Sequence, residues 1–246
     1  MKYLFTLCLL CTSLFAATSK PVSYRSGDDT VNGILYMPSN ATAKRLPAIV
    51  VIHEWWGLND WVKEQAEKFA DQGYVTLAID LYRGKVATTP EEAHELMRGV
   101  PDDRAARDLV AAVSFLRSQK NINPKKIGAI GWCMGGGYAL TLATKDPKLA
   151  ADIMNYGHVL TEPASLKPIH APILGLFGAK DQGIPPEDVN KFARQLKTQG
   201  KSIEVHIYPD AGHAFENPNN KAGYRADDAA DAWRRQLEFF NKFLKK

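Results

Sequence analysis

Apolar runs rich in β-branched residues alternate along this chain with amphipathic stretches of helical period. Such alternation predicts a mostly parallel sheet covered by helices on both faces. Strands are expected at 47–53, 74–80, 126–132, 172–178 and 202–209, and helices at 60–72, 103–119, 134–145, 186–199 and 228–246. Ahead of these, residues 21–37 alternate on either side of Ser26-Gly27-Asp28-Asp29, which predicts a β-hairpin forming the antiparallel edge of the sheet. Gly73 and Gly200 each stand between a helix and a strand, where a left-handed C-terminal cap favours glycine. Residues 85–101 are polar and are expected to add a short helix and loop above the sheet. The fold class is therefore α/β in three layers.

Length and composition narrow this further. A chain of 246 residues that is 45% hydrophobic can bury one substantial core, without spare length for a second. The first residues, Met1-Lys2-Tyr3 followed by an apolar run to Ala16, have the single charge and short hydrophobic stretch of a secretory signal, too short to span a bilayer. The expected division is thus a signal at residues 1–17 and one domain at 18–246, exported to the periplasm or secreted, with a monomer favoured. The formal charge of +4 is spread along the chain and leaves no footprint for nucleic acid. Cys8 and Cys11 fall within the presumed signal, so Cys133 is the one thiol expected after cleavage. In an oxidising compartment an unpaired thiol is better explained by use than by accident.

That cysteine lies in the strongest local motif, Gly131-Trp132-Cys133-Met134-Gly135-Gly136-Gly137, between an apolar strand and a helix. The spacing is that of a nucleophile elbow with cysteine in place of serine. A nucleophile on so sharp a turn needs small neighbours, and the helix start favours an anion at the side chain. A dinucleotide cradle would need G-x-G-x-x-G, and P-loop spacing is also missing. An elbow requires an acid and then a histidine later in the chain. Asp181, in Gly178-Ala179-Lys180-Asp181, and His213, in Asp210-Ala211-Gly212-His213, each follow a strand and so fall on the same rim as Cys133. In that arrangement His213 takes the thiol proton and later activates water, while Asp181 orients the imidazole. The oxyanion hole of such a site takes one N–H from the loop His53-Glu54-Trp55-Trp56-Gly57 and one from the residue after the nucleophile, here Trp55 and Met134. Trp56 is expected to line the pocket. The scattered histidines form no metal-ligand cluster, no cofactor fingerprint appears, and water serves as co-substrate.

Read together, the elbow, the His53-Glu54 loop, Asp80-Leu81-Tyr82-Arg83 and the closing Ala211-Gly212-His213-Ala214-Phe215 resemble the dienelactone hydrolases of the α/β-hydrolase superfamily, across nearly all of residues 18–246. The resemblance implies a Cys-His-Asp triad at Cys133, His213 and Asp181. It further implies that Glu54 activates the thiol when substrate enters and is linked to Arg83, a substrate-binding position. In dienelactone-cleaving members a second arginine follows the histidine by four residues. Here that position is Asn217, and Lys221 or Arg225 could substitute. The expected activity is hydrolysis of a small ester or lactone. Two other classes are weighed against it: a ligand-binding protein on a hydrolase scaffold, which an intact triad opposes, and a thiol redox protein, which lacks a resolving cysteine.

Overall fold

The computed structural model describes residues 16–39 and 45–245. The signal expected at residues 1–17, with Cys8 and Cys11, lies almost wholly outside the described residues. From there the chain forms β1 (Thr18–Ser26) and β2 (Asp29–Met37), the predicted hairpin, turning through Gly27 at φ 62°. Next come β3 (Leu46–Ile52), α1 (Asp60–Asp71), β4 (Val75–Ile79), α2 (Pro90–Arg98) and α3 (Asp102–Ser118). They are followed by β5 (Ile122–Trp132), α4 (Met134–Lys145), β6 (Ala151–Asn155), α5 (Pro163–Leu166) and β7 (Ile173–Gly178). The chain closes with α6 (Pro186–Thr198), β8 (Ile203–Tyr208), α7 (Ala226–Phe240) and a π-helical turn, Asn241–Lys245.

The eight strands form one sheet in the order β1-β2-β4-β3-β5-β6-β7-β8. The hairpin sits at one edge and pairs antiparallel with β4, and every later pairing is parallel. The period of two along each strand divides the core between the faces. In β3, Val50 and Ile52 join one cluster with residues of α3, α4 and α6, while Ile49 and Val51 join the other with residues of α1 and α7. All four are fully buried, and burying each side chain contributes about 1.5–3 kcal/mol. Three layers follow from that division.

Gly73 and Gly200 have φ of 90° and 70°, the left-handed conformation expected of helix-terminating glycines. Three features depart from the pattern read from the sequence: β6, the short α5 and the bounds of the last helix. β6 is a strand of five residues whose second position, Asp152, is fully buried, so it has no apolar run to reveal it. The last helix begins at Ala226 and gives way to the π-turn at Asn241. The path from β3 out to β4 and back across to β5 leaves a crevice at the carboxyl ends of β3 and β5, where open α/β sheets place their sites.

Candidate active site

Cys133 lies between β5 and α4, at the N-cap position of the helix, with φ 55° and ψ −119°. A side chain is strained there, and the surrounding backbone leaves no room to relax it. A Cβ on Gly131 would lie 2.0 Å from the Gly135 carbonyl oxygen, and one on Gly135 would lie 2.4 Å from the Ile52 oxygen. β6 braces the turn through Asn155. Its carbonyl accepts from the Cys133 N–H at 3.0 Å, and its Nδ2 donates to the Gly131 carbonyl at 3.0 Å.

The acid and the histidine come from the loops after β7 and β8. Ala179 N–H donates to Tyr208 O and Lys180 N–H to Ala211 O, so the two loops are laced together. His213 Nδ1 and Asp181 Oδ2 stand 2.7 Å apart. The carboxylate can only accept, so Nδ1 carries the proton and Nε2 is the nitrogen left to meet the Cys133 sulfur. Asp181 Oδ1 accepts from the Gly183 and Ile184 N–H groups, which fixes the carboxylate plane. Burial disfavours the imidazolium, but the Asp181 hydrogen bond and the adjacent Cys133 sulfur outweigh it and raise the ring, which favours an imidazolium paired with a Cys133 thiolate once the thiol proton has crossed.

The loop after β3 supplies the third component. His53 is fully buried; its Nε2 accepts from the Leu81 N–H, and its Nδ1 therefore donates to the Glu54 carbonyl at 2.6 Å. His53 thus holds the loop. The Glu54 side chain is buried, with Oε2 accepting from Asn217 Nδ2 at 2.6 Å. Desolvation pushes its carboxyl up to about 7, against the opposing pull of Asn217 and the nearby His213. Tyr82 ties this loop to the elbow, its hydroxyl lying 2.9 Å from the Trp55 carbonyl and 3.3 Å from Met134 Sδ. Trp55 and Met134 are therefore neighbours, as an oxyanion hole requires. Among the described residues neither N–H is engaged in a turn or loop hydrogen bond.

A cleft of about 1480 Å³ opens over Cys133 and His213, with Glu54, Trp55, Trp56 and Met134 in its walls. Asp181 stands behind His213 rather than in the cleft. Arg83 is placed elsewhere. It is absent from the walls, and its Nη2 pairs with Asp108 Oδ2 at 2.6 Å, with Asp108 fully buried. The expected link to Glu54 is not formed, because Asn217 occupies Oε2 and Arg83 is committed to α3. The cations that do line the cleft are Arg98 of α2 and Lys221. Arg98 lies in the polar stretch 85–101, where only its sign marked it out. Asn155 and Tyr82 also escaped the sequence reading as site residues; Tyr82 lay inside the Asp-Leu-Tyr-Arg motif, whereas Asn155 had no motif around it. Among the described residues no group of three or more His, Cys, Asp and Glu side chains is placed to hold a metal ion.

Comparison with known proteins agrees with this geometry. Residues 31–244 match the sequence profile of the Dienelactone hydrolase family. A protein of Methylorubrum extorquens named "Putative carboxymethylenebutenolidase" is 31% identical over 222 residues, which cover 85% of this chain and 76% of that one. A protein of the same name in Aquifex aeolicus is 32% identical over 87% of this chain and 96% of its own length. The crystal structure of a dienelactone hydrolase-like promiscuous phosphotriesterase from metagenomic libraries superposes with a TM-score of 0.85 at 25% identity, covering 93% of this chain and 99% of the other. With a strained strand-to-helix turn at Cys133, a paired acid and histidine, and a family match over nearly the whole described domain, the chain belongs to the dienelactone hydrolase family and is a hydrolase of the ester and lactone class.

Proposed function

We propose that this hydrolase cleaves a small ester or lactone through a covalent acyl-thioester on Cys133. The observation that carries the proposal is the strained elbow conformation of Cys133, with the His213–Asp181 pair beside it in one cleft. The thiol proton passes to His213 Nε2, and the sulfur attacks the scissile carbonyl carbon. The resulting oxyanion is held by the Trp55 and Met134 N–H groups. The tetrahedral adduct collapses as the carbon–oxygen bond breaks, and the imidazolium returns its proton to the leaving alkoxide. Water then gives a proton to His213 and attacks the thioester, releasing a carboxylic acid and restoring the thiol. Asp181 stabilises the imidazolium in both halves. Glu54, lifted to about 7 by burial and close to His213, assists this step through its charge, which stabilises the imidazolium formed as the thiol gives up its proton.

The substrate is a small molecule and the co-substrate is water. A substrate carboxylate would meet Arg98 and Lys221 rather than Arg83 and position 217, so a dienelactone-like acid would be bound by cations of this chain's own arrangement. Replacing Cys133 with Ala should lower turnover of p-nitrophenyl acetate and of a lactone panel by at least about a thousandfold, with the fold unchanged. Retained turnover in that variant would overturn the mechanism.

A further inference from the structure

Tyr156 directly follows β6, with φ 37° in the left-handed region that disfavours a side chain. Its ring is fully buried, edge-on to His213 at 5.3 Å between centroids and to Phe215 at 5.4 Å. Ring packing accounts for the hydrophobic part of this placement but not for the hydroxyl. Tyr156 Oη is buried without a hydrogen-bond partner, and so is Glu54 Oε1. One is a donor, the other an acceptor, and the two groups are close enough to shift each other's protonation. Orphaned buried polar atoms are rare because each forfeits its hydration. An adjacent complementary pair removes both deficits.

We infer that Tyr156 is a positioning residue for Glu54: its hydroxyl donates to Oε1 while Asn217 Nδ2 holds Oε2, fixing the carboxyl plane between two neutral donors. The inference rests on the proposed role of Glu54 in activating the thiol. The groups facing Tyr156 are Glu54, Glu216, Cys133 and the His213 ring; those facing Glu54 are Asn217, His213, the buried carboxyl of Glu216 and Tyr156 itself. With no cation on either oxygen, burial is opposed only by hydrogen bonds and by His213. The carboxyl therefore changes charge at about pH 7. Each donor favours the carboxylate, so removing one must raise the pH at which Glu54 ionises.

The test is the rate of Cys133 alkylation by iodoacetamide between pH 5 and 9, which reads the thiol without requiring an ester substrate. Tyr156→Phe keeps the ring against His213 and Phe215 and deletes only the hydroxyl. It should move the acid limb upward by about half a pH unit or more. In a Glu54→Gln background the same substitution should move nothing. An unmoved limb in folded Tyr156→Phe, or a shift that persists without Glu54, would overturn the inference. Should Glu54→Gln itself leave the profile unchanged, the activating role of Glu54 fails, and the positioning role fails with it. If Tyr156→Phe does not fold, 3-fluorotyrosine placed at 156, a stronger donor, should move the limb downward; no movement overturns the inference.

Discussion

Arg83 serves the fold rather than the cleft. The backbone at Arg83 is left-handed, φ 56°, in a turn where Asp80 accepts from the Tyr82 and Gly84 N–H groups, and this turn aims the guanidinium at Asp108 of α3. Asp108 has no exposed side-chain surface, and Arg83 is its ion-pair partner. Arg83→Ala should lower stability by about 3 kcal/mol, because breaking such a pair leaves a buried carboxylate uncompensated. Denaturant unfolding measures that loss. KM for a carboxylate-bearing ester and for its neutral counterpart should change alike; a selective loss for the charged substrate would return Arg83 to the substrate. The sequence could place an arginine after Asp-Leu-Tyr, but its partner lies 25 residues further on, in another element. Asn217 has the same character, since its bond to Glu54 joins side chains 163 residues apart. Local motifs reveal residue types, and only the packed chain decides which of two plausible partners each one meets.

At the scale of elements, the turn from β5 to α4 admits small residues for different reasons at different positions. Gly131→Ala forces a Cβ into the Gly135 carbonyl and should cost about 3 kcal/mol or more, with esterase activity lost alongside. Gly137 belongs to the same glycine run, yet a Cβ there meets nothing nearer than 3.5 Å, and the residue is helical. Gly137→Ala should therefore be neutral or stabilising by up to about 1 kcal/mol. Thermal unfolding of the two variants checks the contrast, and equal effects would contradict the steric account of the elbow. The elbow was legible in the sequence because a strand, a cysteine flanked by glycines and a helix coincide within a dozen residues. Four of the five parallel strands that were found are apolar runs long enough to stand out, and β8, Ile-Glu-Val-His-Ile-Tyr, shows by its alternation. β6 was not legible: its pattern Ala-Asp-Ile-Met-Asn puts a polar residue second and last. Both oxygens of Asp152 are buried without a partner, and burial holds its carboxyl well above the usual carboxylate range. A neutral acid can occupy a strand that its sequence would assign to solvent.

The whole molecule gives these pieces a common geometry. Parallel strands send β3, β5, β7 and β8 to one rim, so the loops after them deliver Glu54, Cys133, Asp181 and His213 to one place from positions spread over 160 residues of chain. The order of cysteine, acid and histidine could be read before the sheet was known, because the fold class fixes which strand ends share a rim. The shape of the cleft could not, since Arg98 and Lys221 reach it from loops and helices whose paths depend on packing over the sheet. The central claim is the covalent acyl-thioester, and its most direct test is intact-protein mass spectrometry after rapid acid quench during turnover of an activated ester or lactone. A mass increase equal to the acyl group, mapped to the peptide containing Cys133 and missing in Cys133→Ala, is the predicted result. Steady turnover in which even millisecond quenching and a His213→Asn variant capture no acyl group on Cys133 would contradict it.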